Sequence, residues 1–187
     1  MKHIVVFASG SGTNFQAIID AVESGQIQAT IRGLIANKPG IKALKRAKKN
    51  DIETRVMPPS AFNNKAAYKS ELLQTLKNWQ TDLIVLAGYM LKIPTSVIQQ
   101  YEHRIINIHP SLLPKYGGKG FYGIKVHEAV LANNEHVTGC TVHYVTEEYD
   151  EGPIIDQIEV PVKESDTAKK LADRVLEQES TSCCQES

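Results

Sequence analysis

The sequence predicts a single α/β domain: a mostly parallel, twisted sheet with helices on both faces and an antiparallel pair of strands near its end. Short apolar runs alternate with segments of helical spacing through most of the chain, the pattern of βα units whose strands are buried on both faces. The last two strand-like stretches, Val137 to Val145 and Ile154 to Val162, follow one another with only an acidic link between them. No repeat, linker or shift in composition divides the 187 residues.

Taken in order, His3 to Ser9 (HIVVFAS) is a continuous apolar strand. Gly10-Ser11-Gly12-Thr13-Asn14 follows, then a helix whose Phe15, Ile18, Ile19 and Val22 share a face and whose stop signal is Gly25. Ala29 to Ile35 reads as the second strand, Ile41 to Asn50 as a basic helix and Glu53 to Met57 as an edge strand ended by Pro58-Pro59. Helical spacing predicts a helix from Ser60 towards Trp79, and Asp82 to Gly88 (DLIVLAG) is the most apolar strand. Pro94 suits the first turn of a helix over PTSVIQQYEH. The strand RIINI comes next, then a glycine-rich stretch from Lys115 to Gly123, expected to form a mobile loop, and a helix over IKVHEAVLANN in which His127 reads as a surface or packing residue. Thr167 to Gln178 is a last amphipathic helix, with N-cap chemistry available at Ser165 or Asp166. The polar stretch over 180–187 has little apolar periodicity and is expected to be a disordered or atypical tail to a domain of residues 1–179.

Lys plus Arg and Asp plus Glu number 21 each, which argues against the broad basic footprint of a nucleic-acid binder and favours a small-molecule partner. Cys140, Cys183 and Cys184 have no disulfide or metal-ligand spacing, so no metal is expected. The strand that begins at His3 is too short and too soon interrupted for a signal peptide or a membrane span, which points to a cytoplasmic protein.

Two stretches carry chemistry. The turn Gly10 to Asn14 between strand and helix is where glycines let the backbone approach an anion and where free N–H groups and the helix dipole neutralise it. The same residues also suit an ordinary tight βα turn with Thr13 or Asn14 as N-cap. A dinucleotide fingerprint needs a further glycine where Phe15 stands and an acid after the second strand, where Asn37-Lys38-Pro39-Gly40 stands instead, so a single phosphate is favoured over NAD. Further on, RIINIHPSLLPKYGG places Asn107 and His109 two apart at a strand's C-terminal end, where open α/β sheets keep their ligands. An amide donor beside an imidazole suits acyl chemistry, in which an oxyanion forms and collapses. The bland alternative is a strand cap beside a buried histidine. Of the acids in the link TEEYDEGP, Asp150 lies close to the Gly152-Pro153 turn and can be bent back towards His109.

In their order and spacing, VVFASGSGTNFQAI, DLIVLAGYM, IINIHPSLLPKY and TVHYVTEEYDEGPII closely resemble the folate-dependent glycinamide ribonucleotide formyltransferases of purine synthesis, over about residues 1 to 179. The resemblance implies a Rossmann-like formyltransferase fold. It also implies transfer of a formyl group from 10-formyltetrahydrofolate to the amine of glycinamide ribonucleotide, without a metal, by a monomer or homodimer. It assigns Asn107, His109 and Asp150 to catalysis. Gly12, Thr13 and Asn14 match the phosphate turn and Glu179 the acid on the ribose. Met90, Leu91, Lys92 and Ile93, with Thr146, Glu147, Glu148, Tyr149, Asp150 and Asn107, match the folate pocket, with Lys65 at a basic contact. The family usually has a basic residue directly after the methionine of AGYM, where this chain has Leu91 followed by Lys92. A carboxylate at Asp150 is expected to raise the pKa of His109. Two further readings stay open: a hydrolase that passes the formyl group to water with the same trio, and a phosphate-binding domain that uses only Gly10 to Asn14.

Overall fold

In the computed structural model the backbone is described for residues 1–185 and side chains for residues 1–179. The strands are β1 (Lys2–Ala8), β2 (Ala29–Ala36), β3 (Thr54–Val56), β4 (Leu83–Leu86), β5 (Ile105–His109), β6 (Val137–Tyr144) and β7 (Ile154–Pro161). The helices are α1 (Thr13–Glu23), α2 (Lys42–Lys49), α3 (Lys65–Asn78), α4 (Thr95–Gln100), α5 (Ile124–Ala132) and α6 (Ala168–Gln185). One seven-stranded sheet forms in the order β3-β2-β1-β4-β5-β6-β7. Pairings from β3 to β5 are parallel, and β5–β6 and β6–β7 are antiparallel.

Strand alternation divides the core. From β1, Ile4, Val6 and Ala8 pack with Phe15, Ile18, Leu34, Ala43 and Ala47 beneath α1 and α2. Val5 and Phe7 point the other way, to Tyr68, Leu72, Leu76, Trp79 and Val97 beneath α3 and α4. Each fully buried side chain of this size contributes about 1.5–3 kcal/mol, which is why β1 carries apolar residues on both faces. Trp79 lies flat on β2 at Gly33, where an added Cβ would come within 2.5 Å of the indole; only glycine leaves that space. A third cluster, Val130, Cys140, Val160, Leu171 and Val175, fixes α5 and α6 over the antiparallel strands.

Most elements fall within a residue or two of the expected bounds, and three differ. The helix expected from Ser60 starts at Lys65, because Pro59–Ala61 forms a 3₁₀ turn and Asn64 is the N-cap, its side chain accepting from Ala67 N–H at 2.9 Å. α4 ends at Gln100, three residues short of the expected His103, and Pro94 sits at its N-cap and not inside its first turn. The last helix does not end at Gln178: its backbone stays helical to Gln185, so the irregular tail expected over 180–187 is helical as far as it is described. Residues 186–187, and the side chains of Cys183 and Cys184, lie outside the described residues. Among the described residues no helix is long and apolar enough to cross a membrane.

The strand order reverses at β1, which has β2 on one side and β4 on the other. The crevice at the C-terminal ends of β1 and β4 is therefore the place where this architecture presents a ligand site.

Candidate active site

A cleft of about 780 Å³ opens at that point, within the range of small-molecule sites. Its walls come from the turn after β1 (Gly10 to Asn14), the segment after β4 (Ala87 to Ile93), the end of β5, the loop Gly118 to Gly123, the link after β6, and α6. Ser9 ties two of these walls together, its Oγ accepting from Met90 N–H at 2.9 Å while its own N–H donates to Gly88 O.

β5 delivers Asn107 and His109 to the cleft two residues apart. Across the antiparallel ladder Asn107 faces His143 and His109 faces Thr141, so directly opposed side chains stand on the same face of the sheet. His143 Nδ1 lies 2.9 Å from Tyr144 O and His143 Nε2 lies 3.1 Å from Asn107 Nδ2. A carbonyl only accepts, so Nδ1 carries a proton, and Nε2, facing the amide nitrogen, accepts one amide hydrogen of Asn107. The other amide hydrogen of Asn107 is left for the cleft. By the same reasoning His109 Nε2, 2.8 Å from Tyr116 O, is the protonated nitrogen, and Nδ1 faces Asp150 Oδ2 at 3.5 Å.

Asp150 is held from three sides. Oδ2 accepts from Gly118 N–H at 2.8 Å, Oδ1 lies 3.6 Å from His143 Nε2, and the backbone turns through a left-handed φ of 56°. Burial would raise its pKa, but the contact with the His143 ring, the charge that His109 carries when protonated and the Gly118 amide together hold the carboxyl below its usual range. His109 behaves oppositely to expectation. Its pKa is lowered: with His109 only 4% exposed, burial outweighs the attraction of Asp150 and the Tyr116 bond. The resting imidazole is therefore neutral at neutral pH.

Gly12, Thr13, Asn14 and Glu179, separated by the length of the chain, meet on one wall. Asn14 Nδ2 donates to Glu179 Oε2 at 2.7 Å, and burial raises the pKa of that carboxyl. Gly12, with φ of 69°, takes the N-cap position that the plain βα-turn alternative gave to Thr13 or Asn14. Met90, Leu91, Lys92, Ile93, Thr146, Glu148, Tyr149 and Asp150 also line the cleft, and Lys92 Nζ stands 5.1 Å from the centre of the Tyr149 ring.

Two expected residues do not. Lys65 is the first residue of α3, exposed and absent from the cleft wall. Glu147 turns outward, accepting from Gln99 Nε2 at 3.3 Å in a separate groove.

Sequence reasoning missed His143, whose place opposite Asn107 depends on strand register; its only local signal is an imidazole in an alternating strand. It also gave His127 only a surface or packing place, and the residue is packed as the second of these allows but reaches the cleft as well. That residue is 3% exposed and lines the cleft, its Nδ1 has no hydrogen-bond partner among the described residues, and burial pushes its pKa down to about 4. The signal available was its position beside Val126 and Val130 on the buried face of α5. Among the described residues no group of three or more His, Cys, Asp or Glu is placed to hold a metal ion.

A neutral base beside a carboxylate, an oriented amide donor, and a glycine turn at a helix N-terminus together suit transfer of a carbonyl group to a phosphate-bearing nucleophile. Comparison with known proteins agrees. The family model described as formyl transferase matches residues 2–186. The chloroplastic phosphoribosylglycinamide formyltransferase of Vigna unguiculata is 42% identical over 178 residues, 95% of this chain and 57% of that protein, so the chain spans little more than half of that relative. The phosphoribosylglycinamide formyltransferase of Escherichia coli (strain K12) is 40% identical over 95% of this chain and 81% of its own length. The crystal structure of glycinamide ribonucleotide transformylase 1 from Geobacillus kaustophilus superposes with a TM-score of 0.92 at 40% identity, covering 99% of this chain and 96% of that one.

Proposed function

The chain belongs to the formyl transferase family, and from that premise we propose that it transfers the formyl group of 10-formyltetrahydrofolate to the amine of glycinamide ribonucleotide. The products are formylglycinamide ribonucleotide and tetrahydrofolate. The observation that carries the reading is the meeting in one cleft of the Asn107–His143 and His109–Asp150 pairs with the turn from Gly10 to Asn14.

The phosphate sits against the amides of Gly12, Thr13 and Asn14, and Glu179, held by Asn14, takes the ribose hydroxyls. The folate ring enters between Met90 to Ile93 and the Thr146 to Asp150 link. Ile93, Ile98 and Val145 make part of that wall apolar, as a flat heterocycle requires. The amine nitrogen attacks the formyl carbon, a C–N bond forms, and the carbonyl electrons move to oxygen. The free amide hydrogen of Asn107 binds that oxyanion. Neutral His109 takes the amine's proton at Nδ1, the nitrogen facing Asp150, and the resulting imidazolium stabilises the intermediate with Asp150 as its counter-charge. Collapse restores the carbonyl and breaks the bond to folate nitrogen, which receives the proton from His109.

The lowered pKa of resting His109 fits this order of events, because a base that starts neutral accepts a proton only when the intermediate's charge arrives. The test is an absorbance assay of 10-formyltetrahydrofolate consumption with and without glycinamide ribonucleotide. Consumption that requires the ribonucleotide is the expected result. No consumption in its presence, with the ribonucleotide still bound, refutes the transferase reading in favour of a binding domain.

A further inference from the structure

α2 lies beside the glycine turn, and its contacts there are specific. Ala43 N–H donates to Gly10 O at 3.2 Å. Arg46 Nε donates to Ser11 O at 3.0 Å and its Nη1 to Gln16 Oε1 at 3.1 Å, so one guanidinium spans the turn and the first part of α1. Gly12 is pressed against the same helix, for a Cβ there would meet Ala43 Cβ at 2.7 Å and Ala43 Cα at 2.9 Å.

These contacts decide which way the peptides face. In a trans peptide the C=O of one residue and the N–H of the next point in opposite directions. With the Gly10 and Ser11 carbonyls turned to α2, the N–H groups of Ser11 and Gly12 turn away from it, on the side where residues 10–14 line the cleft. The N–H groups of Ser11, Gly12 and Thr13 have no hydrogen-bond acceptor among the described residues. If the turn were free, either carbonyl could flip into the cleft and repel an anion.

We infer that Arg46 is a positioning residue for the ribonucleotide phosphate: by holding the Ser11 carbonyl and Gln16 it fixes the turn with its amides towards the anion, and it adds a positive charge behind them. The inference rests on the proposed use of the turn for the ribonucleotide. It assigns Arg46 no contact with the reacting atoms, so its loss acts on binding and not on the chemical step. Lysine in its place keeps the charge but lacks the planar fork that reaches two acceptors at once.

The experiment compares the wild-type chain with Arg46→Ala, Arg46→Lys and Lys45→Ala, the last removing a neighbouring exposed charge from the same helix. Steady-state kinetics are measured at saturating formyl donor, and inorganic phosphate is titrated against the ¹H–¹⁵N amide signals of residues 11–14. Arg46→Ala is expected to raise KM for the ribonucleotide by about tenfold or more with kcat kept within about twofold, and to weaken the phosphate-induced shifts in parallel. Arg46→Lys recovers part of the loss and Lys45→Ala leaves KM near wild type. Equal KM and equal amide shifts in wild type and Arg46→Ala overturn the role of Arg46 alone. A KM rise in Lys45→Ala as large as in Arg46→Ala also overturns it, since general charge then explains the effect. Phosphate that shifts none of these amides in the wild-type chain overturns the ribonucleotide reading together with this one.

Discussion

Replacing Asp150 with Asn removes one charge and little else. The backbone there has φ of 56°, which Asn tolerates better than most residues, and an Asn carbonyl oxygen can still accept from Gly118 N–H as Oδ2 does at 2.8 Å. Alanine would strain the turn and lose that bond, so Asn is the cleaner probe. With His109 Nδ1 and Asp150 Oδ2 3.5 Å apart, two unit charges attract by about 5 kcal/mol at an effective dielectric of about 20. The amide retains a dipole, which leaves a loss of about 3 kcal/mol from the state in which His109 is cationic, or about 10²-fold in kcat. Asp150 is also what raises the pKa of His109 against the larger effect of burial. In Asp150→Asn the neutral imidazole therefore persists to lower pH, and the acid limb of the kcat/KM profile moves to lower pH. Steady-state rates across pH measure both effects. A variant within threefold of wild-type kcat, or an acid limb that moves to higher pH, refutes the role given to this carboxylate.

Three more predictions follow from the same geometry. Asn107→Ala removes the proposed oxyanion donor and lowers kcat by about 10²–10³-fold with KM values little changed; a rise in KM alone takes Asn107 out of the transition state. Asp166 accepts from Arg174 at 2.6 and 2.8 Å and from Lys163 N–H at 2.9 Å, with its carboxyl held at about 2. Asp166→Ala costs about 2 kcal/mol in urea unfolding near neutral pH. Because the folded-state pKa is depressed, the difference is full above pH 4 and shrinks as the pH falls towards 2; a constant difference refutes the assignment. His127 is pushed from 6.5 down to about 4, so the unfolded chain binds its proton first. Stability linked to His127 is complete above pH 6.5 and falls by about 3 kcal/mol on approaching pH 4. His127→Gln removes that share of the pH dependence, which denaturation curves at several pH values detect; identical slopes in the two proteins contradict it.

What the sequence reveals here follows from which interactions are local. Element order is readable because βα units write their periods into contiguous residues, and β1 announces its double burial in HIVVFAS. Asn107 and His109 are readable by type and spacing, and Asp150 as the acid beside a tight turn. His143 is not, since its position opposite Asn107 comes from antiparallel register between strands separated by a loop and a helix. The direction of the His109 pKa is also hidden. A carboxylate partner is visible as a residue type, but the burial that outweighs it exists only after packing. Lys65 and Glu147 show the same limit from the other side, because a suitable charge near a motif says nothing of which way a helix end or an irregular link directs it. The end of α6 escapes because helical hydrogen bonds propagate without an apolar stripe to mark them.

The measurement closest to the central claim is a single-turnover experiment with formyl-labelled 10-formyltetrahydrofolate and enzyme in excess, quenched and resolved into free formate and formylated ribonucleotide. The label is expected in formylglycinamide ribonucleotide in step with tetrahydrofolate formation, with none released when the ribonucleotide is left out. Label appearing as formate at the same rate with or without the ribonucleotide would contradict it, and would make water the acceptor in this cleft.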